Sequence, residues 1–186
     1  MRACDTQRQA NARRVSNRSP RDNPGTEFDP VLGSVVGEMT DQPTAHDALR
    51  QLEPLAGEWR VLATTPGGEP LGEGRASFAW HESGAHLIAR TSFDTPGAPN
   101  SVSIIGCDGA NGTYVQLYAD DRGVSRVYDM SMSDGTWKLW RDGQPFPQRF
   151  TARIEDDGRR MVAQWEKAED GTDYTIDFHL TYIRAQ

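Results

Sequence analysis

Cysteine is scarce in this sequence: Cys4 and Cys107 are the only two in 186 residues. Domains held together by a disulfide framework carry more cysteines at closer spacing. The scarcity therefore excludes a disulfide-stabilised secreted domain and favours a reducing compartment, so we expect a cytoplasmic protein.

Long apolar segments are absent as well. No run in the sequence approaches the roughly 18 consecutive apolar residues that a membrane-spanning helix needs. The first residues also lack the apolar core of a signal peptide. We therefore expect no membrane partner.

Positive charge is too sparse to favour nucleic-acid binding. The chain has a formal net charge of −7 and a pI near 5.1, whereas phosphate binding requires clustered lysine and arginine. Six arginines fall within residues 1–24, ahead of the segment that we expect to fold. The composition therefore argues against a nucleic-acid partner.

Motifs that mark catalytic and metal sites are missing too. The sequence has no glycine-rich phosphate loop, no nucleophile elbow and no ligand spacing typical of a metal site. We predict no metal. Whether a reaction is catalysed stays open at this point, and the missing motifs favour a binding protein over an enzyme.

The chain is predicted to divide into an extension and one domain. Residues 1–38 are rich in arginine, asparagine, serine, proline and glycine, and SPRDNPGTEFDP alone holds three prolines. This composition indicates a disordered N-terminal extension. A misassigned start is the alternative, because Met39 begins the regularly patterned segment. In both cases the folded domain spans residues 39–186.

One helix is predicted at the start of the domain, over residues 44–56. Leu49, Leu52 and Leu55 form an apolar stripe along it, and Gly57 follows as a residue type that ends helices. We expect this amphipathic helix to cover one end of the fold.

The remainder of the chain has the pattern of an all-β protein. Strand-like runs alternate with turn-forming segments such as PGG, ESG, DGANG, SDG and EDDG. The predicted strands are residues 58–65, 74–81, 85–93, 102–107, 113–119, 123–132, 136–141, 148–154, 161–167 and 173–184.

No helical pattern separates these runs, so we expect them to pair antiparallel in chain order. About ten strands in an open sheet would leave exposed edges, which closure of the sheet removes. The sequence therefore predicts an up-and-down antiparallel β-barrel of about ten strands, with the N-terminal helix plugging one end.

Alternation along the strands indicates what such a barrel encloses. In the last run Tyr174, Ile176, Phe178, Leu180 and Tyr182 share one face. Barrels of this size can hold an apolar cavity with a few polar groups in it. A barrel filled by its own side chains gives the same pattern, and the number of strands favours the cavity.

Three segments carry a resemblance to a known family. They are LEPLAGEWR (52–60), SIIGCDGANGTYVQLYADDRG (103–123) and the ending DDGRRMVAQWEKAEDGTDYTIDFHLTYIR (156–184). In this order they resemble the DUF1579 family of calycin-like, or lipocalin-like, barrels. Relatives of that family by fold include nitrobindins and fatty-acid-binding proteins. The resemblance implies the fold and says little about activity.

The resemblance also implies a pair of residues that closes the barrel. In calycins an early tryptophan meets a late arginine, and Gly57, Trp59 and Arg184 match these positions. An arginine over the face of a tryptophan gains cation–π attraction and covers the barrel end. The resemblance therefore implies a structural role for all three residues.

Nitrobindins bind haem through a histidine near the end of the chain, and His179 in FHLTYIR occupies a comparable region. The resemblance thus implies haem binding at His179, with nitric oxide or peroxynitrite chemistry, as an alternative function. His179 falls on the polar face of its strand, however, and a haem ligand needs an apolar slot around it. We therefore predict no cofactor.

Six strand residues are candidates for the cavity wall. An arginine beside tyrosines in an apolar barrel suits a carboxylate or another anionic head group, and an arginine facing outward is the alternative. The candidates are Arg90, Tyr114, Tyr118, Arg126, Tyr128 and Trp140. Among them, Arg126 is the predicted anchor.

The leading hypothesis is a barrel that binds a small hydrophobic or amphipathic molecule in its cavity, with a homodimer left open. Three alternatives stand beside it. They are a haem protein, a cyclase or isomerase that uses the cavity as a dry reaction vessel, and an interaction module with a filled core.

Overall fold

The computed structural model describes residues 48–186. The predicted boundary between residues 38 and 39, and the first residues of the helix predicted over 44–56, lie outside this range. Within residues 48–186 no helix is long and apolar enough to cross a membrane.

Residues 48–186 contain ten antiparallel strands, and each strand pairs with its neighbours in the chain. The first and last strands also pair, which closes the sheet into a barrel. The predicted up-and-down calycin-like barrel is therefore confirmed. The strands are β1 (Gly57–Thr64), β2 (Pro70–Trp80), β3 (Leu87–Phe93), β4 (Ser101–Asp108), β5 (Thr113–Asp120), β6 (Ser125–Ser133), β7 (Thr136–Arg141), β8 (Gln148–Glu155), β9 (Arg160–Lys167) and β10 (Thr175–Arg184).

Short hairpin turns fix the register of the barrel. Asp134 and Gly135 alone connect β6 to β7, and both have positive φ, at 49° and 67°. Two positive φ values in a two-residue loop belong to the turn type that matches the twist of paired strands, and Asp-Gly is a favoured sequence for it. The sequence encodes this turn locally.

The helix predicted over residues 44–56 is present in its described part. Ala48 and Leu49 are α-helical, and the segment continues as a 3₁₀ helix over Arg50–Leu55. Pro54 has no N–H to donate to an α-helical hydrogen bond. A 3₁₀ helix has three residues per turn, so the spacing of Leu49, Leu52 and Leu55 places all three on one side, and all three are buried.

The 3₁₀ helix lies across one end of the barrel, which we call the closed end. Tyr114 Oη donates a hydrogen bond to Ala48 O at 2.6 Å, and Trp80 Nε1 donates to Glu53 Oε2 at 2.9 Å. These bonds tie the helix to the ends of β2 and β5. The opposite end, which we call the open end, carries the β1–β2, β3–β4, β5–β6, β7–β8 and β9–β10 connections.

A register shift in β10 changes which side chains face the interior. The pairing with β9 shifts between Ile176 and Phe178, as in a β-bulge. Phe178, Leu180 and Tyr182 line the interior as predicted, whereas Ile176 is exposed and Asp177 faces the interior instead. The extra residue at the bulge reverses the alternation predicted for the start of this strand.

Candidate functional site in the barrel lumen

The interior of the barrel contains a cavity of about 450 Å³ near the open end, which we call the lumen. This volume lies within the range of small-molecule sites. Aromatic side chains form much of its wall, and neighbouring rings pack at centroid distances of 4.8 to 5.8 Å. They are Phe78, Tyr128, Trp137, Phe150 and Trp165.

Arg126, Tyr128 and Gln148 form a hydrogen-bonded group on the lumen wall, the Arg126 cluster. Gln148 Oε1 accepts a hydrogen bond from Arg126 Nη1 and another from Tyr128 Oη, the latter at 3.0 Å. All three residues line the lumen, and Tyr128 and Gln148 are buried. The shared amide oxygen holds the guanidinium and the phenol side by side.

Arg126 makes no ion pair with any residue in the described range 48–186. Its one hydrogen bond goes to a neutral amide, and a guanidinium has five N–H donors. Several N–H groups and a positive charge therefore stay available at the lumen wall.

The other charged residues of the lumen are paired. Arg122 Nη2 lies 2.7 Å from Asp120 Oδ2, which also accepts a hydrogen bond from Tyr118 Oη at 2.8 Å. The bond from Arg122 holds the pKa of Asp120 well below its usual range. Burial, and then the bond to Asp120, raises the pKa of Tyr118. The Tyr118 hydroxyl therefore stays neutral at physiological pH.

Asp177 is paired in the same way at the start of β10. Lys167 Nζ lies 3.1 Å from Asp177 Oδ1 and 2.9 Å from Glu169 Oε1. These two carboxylates raise the pKa of Lys167. With Asp177 and Arg122 both matched, the charge of Arg126 stands without a counter-ion in the described lumen.

The six candidate cavity residues divide into two groups of three. Tyr118, Arg126 and Tyr128 line the lumen. Arg90 and Trp140 are exposed on the outer face, because their neighbours Ala89 and Leu139 are the ones that face inward. The structure does not bring Tyr114 to the lumen either, since its hydroxyl is bonded to Ala48 at the closed end.

His179 also lies away from the lumen. Its neighbours Phe178 and Leu180 line the lumen, and the register with β9 is regular from Phe178 onward, so the alternation of the strand turns His179 to the opposite side. None of the histidines in the described range 48–186 is part of the lumen wall. The residues of the wall therefore do not fit a histidine-ligated haem.

Two polar residues of the lumen wall were not among the candidates predicted from the sequence. Gln148 and Gln116 are buried and face the lumen, and neither was a candidate. The available signal for Gln148 was its position two residues before Phe150, which places both side chains on the same face of β8. A lone glutamine in a strand is otherwise indistinguishable from a surface residue.

Trp59 and Arg184, which resemble the calycin closing pair, meet at the closed end. They are direct partners in the β1–β10 register, and Arg184 Cζ lies 4.2 Å from the centroid of the Trp59 ring. The Arg184 guanidinium donates to three carbonyl oxygens, those of Pro54, Ala56 and Gly158, at 2.6 to 2.8 Å. It therefore links the 3₁₀ helix to the connection between β8 and β9.

Gly57 is the third residue of the predicted closure, and its backbone conformation explains why glycine stands there. Its φ is 125°, which side-chain-bearing residues rarely adopt, and an added Cβ would lie 2.5 Å from Arg184 Nη1. A larger residue would displace the guanidinium from the carbonyls that it bridges.

No protein-family model matches the sequence, and no curated protein sequence does either. Solved structures do match the fold. The crystal structure of Rv2717c from M. tuberculosis is similar with a TM-score of 0.50 and 18% identity, over 75% of this chain and 98% of that one. Fatty-acid-binding protein 1 of Echinococcus granulosus is similar with a TM-score of 0.51 and 10% identity, over 72% of this chain and 99% of that one.

Identities this low establish a common fold alone. With the strand order and the closed sheet, they define the class of this protein: a calycin-like β-barrel of ten strands with a cavity at one end.

Proposed function

We propose that the barrel binds one small amphipathic molecule in its lumen, with an anionic head group at Arg126 and an apolar body among the aromatic side chains. The observation that carries this proposal is the guanidinium of Arg126, which faces an apolar cavity without a counter-ion in the described residues. A carboxylate is the simplest head group, because it matches the planar fork of a guanidinium.

The Arg126 cluster would act on the head group in two ways. The guanidinium supplies the charge, and an arginine–carboxylate hydrogen bond is stronger than one between neutral groups. Gln148 and Tyr128 hold the guanidinium in place, so little side-chain freedom is lost when the ligand binds. An arginine that is held in place before binding therefore contributes more to ligand affinity than a flexible surface arginine does.

The aromatic wall would take the apolar part of the ligand. Burial of apolar surface contributes about 0.8 kcal/mol per methylene group, and the lumen of about 450 Å³ offers room for a medium-length chain or a small ring system. The fold is similar to that of a fatty-acid-binding protein, which supports a ligand with a polar head group and an apolar tail.

The alternative functions lack a comparable observation. Haem binding with nitric oxide or peroxynitrite chemistry requires an axial ligand in the lumen, and His179 lies on the other side of its strand. A cyclase or isomerase would require an unpaired acid or base. Asp177, the carboxylate that lines the described lumen, is paired with Lys167. Asp120, which contacts Tyr118 of the wall, is paired with Arg122.

The test is binding of dodecanoic acid, measured by isothermal titration calorimetry below its critical micelle concentration, against binding of dodecanol. We expect the acid to bind more tightly than the alcohol in the wild-type protein. In Arg126→Met, which keeps an unbranched apolar stem and removes the guanidinium with its charge, the acid should lose about 10- to 100-fold in affinity. That range corresponds to a charged hydrogen bond of about 1.5–3 kcal/mol.

The matched control is Arg90→Met, the same substitution on the outer face. Arg90 is exposed and lies outside the lumen wall, so the affinity for dodecanoic acid should not change. Equal affinities of the acid for wild-type and Arg126→Met protein would contradict the proposed anchor.

Further proposals come from the sequence. We also propose that the chain belongs to the DUF1579 family, that it acts in the cytoplasm, and that residues 1–38 precede a single domain over 39–186. The sequence leaves open whether the barrel forms a homodimer.

A further inference from the structure

Gln116 carries a buried polar atom that has no hydrogen-bond partner within residues 48–186. The side chain is 7% exposed and lies on the lumen wall. Its Nε2 donates to Ser103 Oγ at 3.3 Å, while Oε1 has no partner among the described residues. Exchanging the two amide atoms would let the Ser103 hydroxyl donate and would leave Nε2 alone. One end of the amide is therefore unpaired in either orientation.

Trp137 provides a second atom of this kind on the same wall. It is 4% exposed, and its Nε1 has no acceptor among the described residues. Buried polar groups are nearly always hydrogen-bonded, because an unpaired one loses its bonds to water without replacement. Both residues that carry these unpaired groups line the same cavity.

We propose that the ligand carries an uncharged hydroxyl on its apolar body and that Gln116 binds this hydroxyl. The inference rests on the proposed function, because the acid at Arg126 sets the position of the ligand. A hydroxyl donates and accepts, so it pairs with either end of the Gln116 amide. A plain hydrocarbon tail offers no partner to the amide, so it gains no hydrogen bond from Gln116.

The register of β5 and β6 gives the spacing between the two contacts. Gln116 lies directly opposite Tyr128, which is two residues beyond Arg126 on β6. At about 3.4 Å per residue, the two positions are about 7 Å apart along the strand. A hydroxyl partway along an extended acyl chain meets this spacing, whereas one adjacent to the carboxylate does not.

The test compares dodecanoic acid with isomeric monohydroxydodecanoic acids that move the hydroxyl along the chain. Calorimetric titration of the wild-type protein should show that an isomer with a hydroxyl near the middle of the chain binds about tenfold more tightly than dodecanoic acid. Tenfold is the contribution of one good hydrogen bond to a preformed partner.

Two variants assign this preference to Gln116. Gln116→Met replaces the amide with an apolar side chain of similar length, and the preference for the hydroxylated isomer should fall to within about twofold. The double variant Ser103→Ala with Gln116→Met removes both partners of the buried bond, a change that is close to neutral for stability. It should show the same loss of preference, and it covers the case in which Gln116→Met fails to fold.

The outcomes separate this inference from the function on which it rests. Equal affinities of the wild-type protein for dodecanoic acid and all its isomers would overturn the hydroxyl site and leave the anchor at Arg126 intact. A preference that persists in both variants would also overturn it. If no acid binds the wild-type protein, the proposed function fails and the hydroxyl site fails with it.

Discussion

Replacing Trp59 with alanine should lower the free energy of unfolding by about 3–5 kcal/mol, the range measured for large aromatic residues in protein cores. Trp59 is 1% exposed, and its Nε1 donates to Leu55 O at 2.9 Å. Its loss would leave a cavity under the 3₁₀ helix and would remove the ring on which Arg184 rests. Urea unfolding followed by circular dichroism measures the change.

Trp140→Ala is the matched control for this substitution. Trp140 is 38% exposed on the outer face, so its truncation should cost about 1 kcal/mol or less. Trp59 does not line the lumen, and folded Trp59→Ala protein should bind dodecanoic acid as the wild type does. A Trp59→Ala protein of unchanged stability that has lost affinity for the acid would place Trp59 in the binding site instead.

Filling the lumen should abolish binding of dodecanoic acid, with a loss of more than about 100-fold, equivalent to about 2.7 kcal/mol or more. Ala89 is buried on the lumen wall, and Ala89→Trp would place an indole in the space that the ligand's apolar body occupies. The barrel should remain folded, at a cost of about 1–3 kcal/mol for overpacking. Calorimetric titration measures the affinity, and circular dichroism reports the fold.

Ala79→Trp introduces the same side chain on the outer face of β2. Ala79 is exposed and lies next to Phe78, which faces the lumen. This variant should bind dodecanoic acid with wild-type affinity. Binding that persists in Ala89→Trp, or that is lost equally in both variants, would show that the ligand does not occupy the lumen.

Much of the fold could be predicted because its signals are local. Hairpin turns such as Asp134-Gly135 and the alternation within each strand fix the number of strands and their antiparallel order. The ends of strands were less certain. β2 begins at Pro70, four residues before the predicted run, because the proline and glycines of EPLGEG obscure the alternation.

The 3₁₀ geometry over Arg50–Leu55 could not be predicted for a related reason. Leucines at three-residue spacing fit an α-helical stripe as well as a 3₁₀ helix. The difference depends on Pro54 and on contacts of the segment with Tyr114 and Trp80, which are distant in sequence. A pattern of apolar residues does not contain those contacts.

The candidate site could be predicted only in part, because the direction of each strand face depends on the whole barrel. Arg126 and Gln148 lie on β6 and β8, with β7 between them, so their contact arises from the curvature of the sheet. Arg90 and Trp140 sit on strands with aromatic or apolar residues on both faces. The bulge before Phe178 reverses the pattern of β10 without any distinctive residue.

The indole N–H signals of the five tryptophans report whether the ligand lies inside the lumen. In a ¹H–¹⁵N spectrum titrated with dodecanoic acid, the signals of Trp137 and Trp165, which line the lumen, should shift and saturate together. Those of Trp59, Trp80 and Trp140 should remain in place, because none of them reaches the lumen. Shifts confined to the exposed Trp140, or no saturable shift of Trp137 and Trp165, would show that dodecanoic acid does not bind in the lumen.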